Sequence, residues 1–355
     1  MDIIEHVFVI RDVRPNKIIR PFLISSGVNS QSYSLKLQRI LTDFGADASF
    51  ANAAKKAAEH YGIDVPISGI RNTVLKHANE MLVKNTSELN NMRDVYSPIH
   101  RKALTSGVKQ IITQTDGSMV PIVTHSSTAK DNRKKKIRSY QEARLCLSYA
   151  EGSVTPVYAA TMSDVNTTGK YMRQTALSVG LGNNTKVHAV GDGAQWIKNQ
   201  LDDKFGDIST VNYLIDLFHM GEYISDASTV IITDENKRLK WVKRQLNLLK
   251  RGQINKVLTT LEPFKNAPED NPAMHCYRYI TNRLTQLDYK SAIEQELPIG
   301  SGLVEGGHRY VIQARMKISG AAWVAENVNP MLALRTNRIN GQWDGYWDKS
   351  KNQQI

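Results

Sequence analysis

The sequence predicts a mixed α/β fold: a sheet with helical crossovers, led by a helical domain and interrupted late by a basic helical insertion. Three observations carry this. Between Val108 and His219 three strand-like runs are followed by helix, strand, helix and strand, the order expected of crossovers that return each strand to one sheet. Residues 35–84 and 220–297 instead show apolar residues at a spacing near 3.6. A hydrophobic content of 41% in 355 residues is enough for two or three real cores.

Residues 1–34 read as irregular, with Pro15, Pro21 and the polar run SSGVNSQSYS. Residues 35–100 form the predicted helical domain. ASFANAAKKAAEHYG (48–62) is amphipathic, IDVP (63–66) is a short connector, and SGIRNTVLKHANEMLV (68–83) resumes the helical period before a polar linker from about residue 85. Two helices on so short a turn suit a helix-turn-helix, whose second helix would offer Arg71, Asn72, Lys76 and His77 to a major groove; an ordinary helical hairpin is the alternative.

Residues 101–219 form the first part of the sheet domain. VKQIITQTDGSMVPIVTH (108–125) reads as a hairpin or two pleated strands around Asp116-Gly117-Ser118. A basic loop, KDNRKKKIR (130–138), precedes the strands ARLCLSYA and VTPVYAATM. A helix near 167–180 then leads to KVHAV, the AQWIKNQLDDKF helix and TVNYLIDLFH. Residues 220–297 are helical and basic, with KRLKWVKRQLNLLKRG (237–252) as their most cationic stretch, and residues 298–355 close the domain with further helices and a WDGYW tail.

Charge narrows the partner. Lysine and arginine number 46 against 34 acidic residues, a net +12 that attracts phosphate or anionic lipid. No apolar run has the length of a membrane span and MDIIEHVFVIRDVRP is read as lacking a leader pattern, so a cytoplasmic polyanion is the expected partner. Cys146 and Cys276 are the only cysteines, too few for a disulfide framework or a cysteine-rich zinc site.

Three carboxylates draw attention. Asp116 lies in the first strand pair, Asp192 lies where the KVHAV strand hands over to a helix, and Glu305 lies in PIGSGLVEGGHR. Strand ends of neighbouring parallel strands meet across a crevice, and a helix packed beside them completes a cluster. Clustered carboxylates repel unless a cation holds them, and oxygen-only ligands favour Mg²⁺, or Mn²⁺ in its place. Taken singly, each Asp-Gly is also an ordinary turn.

The boxes TDGSMVP (115–121), VGDGAQWI (190–197), LIDLFH (214–219) and GSGLVEGGHRYVIQARMKISGAAW (300–323) resemble those of bacterial insertion-sequence DDE transposases of the Kra and Lre types, relatives of Mutator-like transposases. The resemblance runs from about Leu35 to the tail. It implies an RNase H-like catalytic domain with a helical insertion before the third acidic residue, and it implies Asp116, Asp192 and Glu305 as catalytic metal ligands. Asp216 and His219 match a D-x-x-H motif of the Mutator-like relatives, with a role beside the metals or on DNA. Gly306 and Gly307 place Glu305 at a helix start or kinked turn rather than mid-helix.

The expected partner is then double-stranded DNA, as terminal inverted repeats and as target, gripped by a homodimer or larger assembly near the bacterial nucleoid. The basic residues singled out for DNA are Arg71, Lys76, Lys134, Lys135, Lys136, Lys243, Arg244, Arg309, Arg315 and Lys317, with Arg335 and Arg338 along the same path. A nuclease that cuts without joining and a catalytically idle DNA-binding protein are the rival readings. Trp196, Trp323 and the Trp343, Tyr346, Trp347 group are expected to pack rather than to stack on bases.

Overall fold

The computed structural model describes residues 8–10, 17–19, 21, 33–95, 107–125, 136–206 and 210–352. The chain divides into two compact units, one of residues 1–87, 120–141 and 311–355, the other of residues 88–119 and 142–310.

In the first unit, β1 (Phe8–Ile10) and β2 (Lys17–Ile19) pair antiparallel within the segment expected to be irregular. Helices α1 (Leu35–Asp47) and α2 (Phe50–Tyr61) each begin on a serine whose side chain accepts a backbone N–H of the first turn: Ser34 from Leu37, Ser49 from Asn52. Gly62, at φ 62°, ends α2 in the left-handed conformation that glycine adopts without cost. Helix α3 (Ile67–Val95) is longer than its sequence pattern indicated. The stretch taken for a linker stays helical because Leu89 and Met92, three apart on one face, are buried in the core of the second unit.

Residues 311–355, expected to finish the sheet domain, belong with these N-terminal helices. They include α13 (Val328–Ile339) and α14 (Trp343–Asn352), the last two α-helices among the described residues. His77 was expected to face a DNA groove. It is buried instead, with Nδ1 2.7 Å from Tyr346 Oη and Nε2 2.8 Å from Gln38 Oε1, its ring against Trp347. Arg71 and Lys76 on the same helix are exposed or partly so.

The second unit is built on a five-stranded mixed sheet in the order β5-β4-β3-β6-β7. Strand β3 (Gln110–His125) runs unbroken for 16 residues, so TDGS is not a hairpin turn. Its neighbour β4 (Lys136–Ala150) holds it straight: Thr113 Oγ1 donates to Leu147 O and Thr115 Oγ1 to Leu145 O, a reversed order that marks an antiparallel pair. β5 (Val157–Thr161) is antiparallel to β4. β6 (Lys186–Gly191) is parallel to β3, and β7 (Val211–Ile215) is parallel to β6.

Helix α4 (Val165–Ser178), capped by Asp164, and α5 (Gln195–Phe205) pack on the sheet through Met172, Ala176, Ile197, Leu201 and Phe205. Trp196 packs against the same core, as expected, with the Arg144 guanidinium 5.3 Å from its ring centroid. The insertion comprises α6 (Leu217–Ile231), α7 (Glu235–Lys250), α8 (Ile254–Leu261), α9 (Pro272–Thr281) and α10 (Tyr289–Glu294). It has its own apolar core, which reaches Leu214 and Ile215 at the end of β7. A short helix α11 (Gly302–Gly307) carries Glu305 at its fourth position and runs into a π-helical turn, His308–Gln313, and a last short helix α12 (Ala314–Met316).

Candidate functional site

Strand register builds the site. In the β3–β6 ladder Gln114 lies opposite Val190, and two residues further along each strand come Asp116 and Asp192. In the β6–β7 ladder Gly191 lies opposite Ile215, and the next residues are Asp192 and Asp216. Continued past these pairs, the ladders put the three aspartates in one row across three neighbouring parallel strands, just beyond the C-terminal ends of β6 and β7 and midway along β3, on the side where open α/β sheets bind ligands.

Each member of the row is held differently. Asp116 is partly exposed; its Oδ1 accepts the Gly117 N–H at 2.7 Å and its Oδ2 lies 3.3 Å from His308 Nε2. Burial works against its ionisation, but His308, the Gly117 N–H and the charge of His219 outweigh it and hold the carboxyl below the usual carboxylate value. Gly117 leaves room for the Glu142 side chain on β4, which a Cβ would strike.

Asp192 Oδ1 accepts the Ala194 N–H at 2.8 Å, closing the turn into α5. The insertion braces this turn. Tyr279 Oη donates to Asp192 O at 3.0 Å, Arg283 Nε donates to Gly193 O at 3.2 Å, and Gly193 N–H donates to Tyr213 Oη at 3.0 Å. Gly193 has φ +85° and lies against the Tyr279 hydroxyl. Burial and the nearby Asp192 charge push the Tyr213 and Tyr279 hydroxyls up, so both stay protonated hydrogen-bond partners.

Asp216 is buried. It caps α6 by accepting the Phe218 N–H, and its Oδ2 accepts the Ser301 N–H at 2.6 Å and the Ser301 hydroxyl. From β3, Gln114 grips the same turn: its Nε2 donates to Gly300 O at 3.3 Å and its Oε1 accepts the Val304 N–H at 3.0 Å. The helix bearing Glu305 is thus tied to β3 by Gln114 at one end and set against Asp116 by His308 at the other. Glu305 itself is exposed. His219, three residues after Asp216, has Nδ1 2.9 Å from Glu222 Oε2.

Carboxylate oxygens in register on adjacent strands are suitable donors for a hard divalent ion. Asp116 and Asp192 fit that role by position. Among the described residues, however, no three of His, Cys, Asp and Glu are gathered closely enough to hold a metal ion. Gln114, Ser301 and His308 escaped the sequence reading. The signal for Gln114 was its strand spacing, two before Asp116 and so on the same face; for His308 it was the helical spacing from Glu305.

The basic residues fall into three groups. Lys136, Lys243, Arg244, Arg309 and Lys317 are exposed, as are Arg71 and Lys76, each at least in part. Lys134 and Lys135 lie outside the described residues. Arg315, expected at a phosphate, is buried: its Nε donates to Gly45 O at 2.9 Å, its guanidinium lies 4.8 Å from the Phe50 ring and 4.6 Å from the Trp323 ring, and burial lowers its pKa to about 10. Arg335 and Arg338 are likewise spent on α1, pairing with Asp47 and, for Arg338, Asp43.

No protein-family profile matches the chain. It is a distant relative of UPF0236 proteins of Caldanaerobacter subterraneus subsp. tengcongensis. Two of these are 28% and 27% identical to it over 170 residues, 47% of this chain and 34% of theirs. The chain therefore spans about a third of the length of the curated relatives it matches. Among solved structures, the Drosophila P element transposase strand transfer complex is similar over 93% of this chain and 83% of that chain, at a TM-score of 0.31 and 9% identity, a likeness too slight to carry an argument. No helix among the described residues is long and apolar enough to cross a membrane.

Proposed function

We propose that the chain is a DDE-type DNA transposase, which cleaves DNA at transposon ends and joins the freed 3′-OH to target DNA by metal-dependent phosphoryl transfer. One observation carries the reading. The sheet order β5-β4-β3-β6-β7 with β4 alone reversed supports an RNase H-like reading, and the β3–β6 ladder, continued two residues, sets Asp116 beside Asp192.

Asp116 and Asp192 would hold Mg²⁺, or Mn²⁺, with Glu305 as the third ligand. Bound there, such ions supply the charge that steadies the attacking and leaving oxygens of an in-line displacement. The chain's own residues do the positioning. His308 and the Gly117 N–H favour the ionised form of Asp116, and Tyr279, Tyr213 and Arg283 fix the Asp192 turn. Gln114 and Asp216 fix the turn from which the Glu305 helix starts. On α7, Lys240, Lys243, Arg244 and Arg251 line one shallow groove of about 380 Å³, a cationic stripe suited to phosphate neutralisation.

Two transposon ends must be brought together, so a dimer or larger assembly on double-stranded DNA, at the bacterial nucleoid, belongs to this reading. The test is Mg²⁺-dependent nicking and strand transfer on terminal-repeat DNA with Asp192→Asn beside the wild type. Undiminished activity in the variant would sink the assignment; nicking without joined product would identify a nuclease instead.

A further inference from the structure

The helical unit contains a cleft of about 600 Å³ that the proposed chemistry does not use. That volume is within the roughly 300–1,000 Å³ typical of ligand sites. Phe44 of α1, Tyr61 at the end of α2, and Trp343 and Trp347 of α14 line it. Trp343 and Trp347 meet edge-on, with centroids 5.5 Å apart and planes at 69°, and Phe44 and Tyr61 are tilted at 45° with centroids 6.1 Å apart. Trp347 is buried against His77 and the Arg338 guanidinium lies 5.3 Å from the Trp343 ring centroid, so the ring surface open to another ring is that of Tyr61 with part of the half-buried Trp343. Tyr61 is 52% exposed, which a residue serving only to pack would not need.

The same cleft is flanked by cations. Lys36 and Arg39 line it, and Lys56 Nζ lies 5.7 Å from the Phe44 ring centroid. Its one carboxylate, Asp43, is already engaged by Arg338 at 2.9 Å. Arg39 pairs with Asp344 in the open, where ion pairs are weak and a phosphate competes readily. Lys36 and Lys56 have no ion-pair partner among the described residues.

A ligand matched to both features carries flat π faces and negative charge on one molecule. An apolar peptide or acyl chain meets the rings and leaves the cations unused. Free phosphate, or duplex DNA whose bases are stacked inside, meets the cations and leaves the rings unused. We propose that this cleft binds unpaired nucleotides of a DNA strand, the base stacking on the aromatic walls and the phosphates resting at Lys36 and Lys56. This goes beyond the transposase reading and does not depend on the carboxylate row.

The test uses the full chain bearing Asp192→Asn, in the absence of divalent metal, titrated with a short oligothymidylate and read by tryptophan quenching and by anisotropy of labelled strand. Saturable quenching is expected, with affinity falling about 10-fold or more in Trp343→Ala and in Tyr61→Ala. Tyr61 is exposed enough for its variant to keep the fold, so the test survives if the tryptophan variant does not fold. Lys36→Glu should lower the slope of log affinity against log salt by about 0.7 for each phosphate it no longer neutralises. Equal binding by Tyr61→Ala, equal quenching by duplex DNA or inorganic phosphate, or displacement of the strand by an acidic apolar peptide would each overturn the proposal. Absence of strand transfer by the wild-type protein with Mg²⁺, with oligothymidylate binding intact, counts against the transposase reading alone.

Discussion

Asp216 Oδ2 accepts both the backbone N–H and the hydroxyl of Ser301, joining the end of β7 to the turn that launches the Glu305 helix across the whole insertion. Continued past their last pairs, the β3–β6 and β6–β7 ladders put Asp116, Asp192 and Asp216 in one row, of which the first two are partly exposed. The third is used up in building.

Replacing Asp116 or Asp192 by asparagine keeps side-chain volume and removes the charge a metal needs. Nicking of terminal-repeat DNA is expected to fall roughly 100-fold or more, as when a group aimed at transition-state charge is removed. Far-ultraviolet circular dichroism should be unchanged; a variant that is equally active, or one that unfolds, would count against the assignment.

The clamp on the 300–304 turn makes a separate prediction. Gln114→Ala and Ser301→Ala each remove a tie to the Glu305 helix while leaving the three acidic residues in place. Divalent-ion affinity measured by calorimetry should drop about 10–100-fold, the usual cost of removing a partner that orients a ligand. Raising the metal concentration should restore part of the activity, which a merely misfolded variant would not show.

Three glycines should separate cleanly in urea unfolding. Gly193→Ala forces a side chain into φ +85° and against Tyr279, at a cost of about 1–3 kcal/mol. Gly307→Ala meets Leu145 and Tyr158 and should also destabilise. Gly306→Ala meets nothing and should stabilise the helix by up to about 1 kcal/mol.

Acid titration tests the pairing of Asp116 with His308. Asp116 has a folded pKa below its usual 3.8, so its ionisation contributes stability that is fully present above that value and is lost as pH falls through the folded pKa. In His308→Ala, burial is less opposed, the Asp116 pKa rises, and acid unfolding of the metal-free protein moves to higher pH. Carboxyl carbon shifts in NMR would report the change; an unmoved Asp116 titration would show that His308 does not act on it.

Buried and exposed basic residues should give opposite signatures. Arg315→Ala strips a guanidinium from between Phe50 and Trp323 and should lower the melting temperature by several degrees without altering the salt dependence of DNA binding. Lys243→Glu with Arg244→Glu should leave melting almost unchanged and reduce the salt slope by about 0.9 for each phosphate left without its cation.

The sequence was most legible where a pattern is local. Helical periods, the strand order and the position of Glu305 at a helix start could be read from neighbouring residues. Neither a hairpin nor a pair of strands forms at Asp116-Gly117, because turn chemistry at that point is overruled by β4, whose carbonyls take the Thr113 and Thr115 hydroxyls. Arg315, Arg335 and Arg338 were misread for a related reason. An arginine looks the same in sequence whether it meets phosphate or the carbonyls and carboxylates of a helix more than 260 residues away. Register, the property that aligns Asp116 with Asp192, has no local signature at all.

The insertion begins directly after Asp216 and ends just before Ser301, and Leu217 N–H donates to Ile299 O at its mouth. Its entry and exit are therefore stitched together, which makes it a cassette: a change in its length need not shift the frame that carries Glu305. The freedom is one-sided. Because Tyr279 and Arg283 reach back from within the cassette to the Asp192 turn, any replacement must bring its own props for that turn or leave the second carboxylate loose.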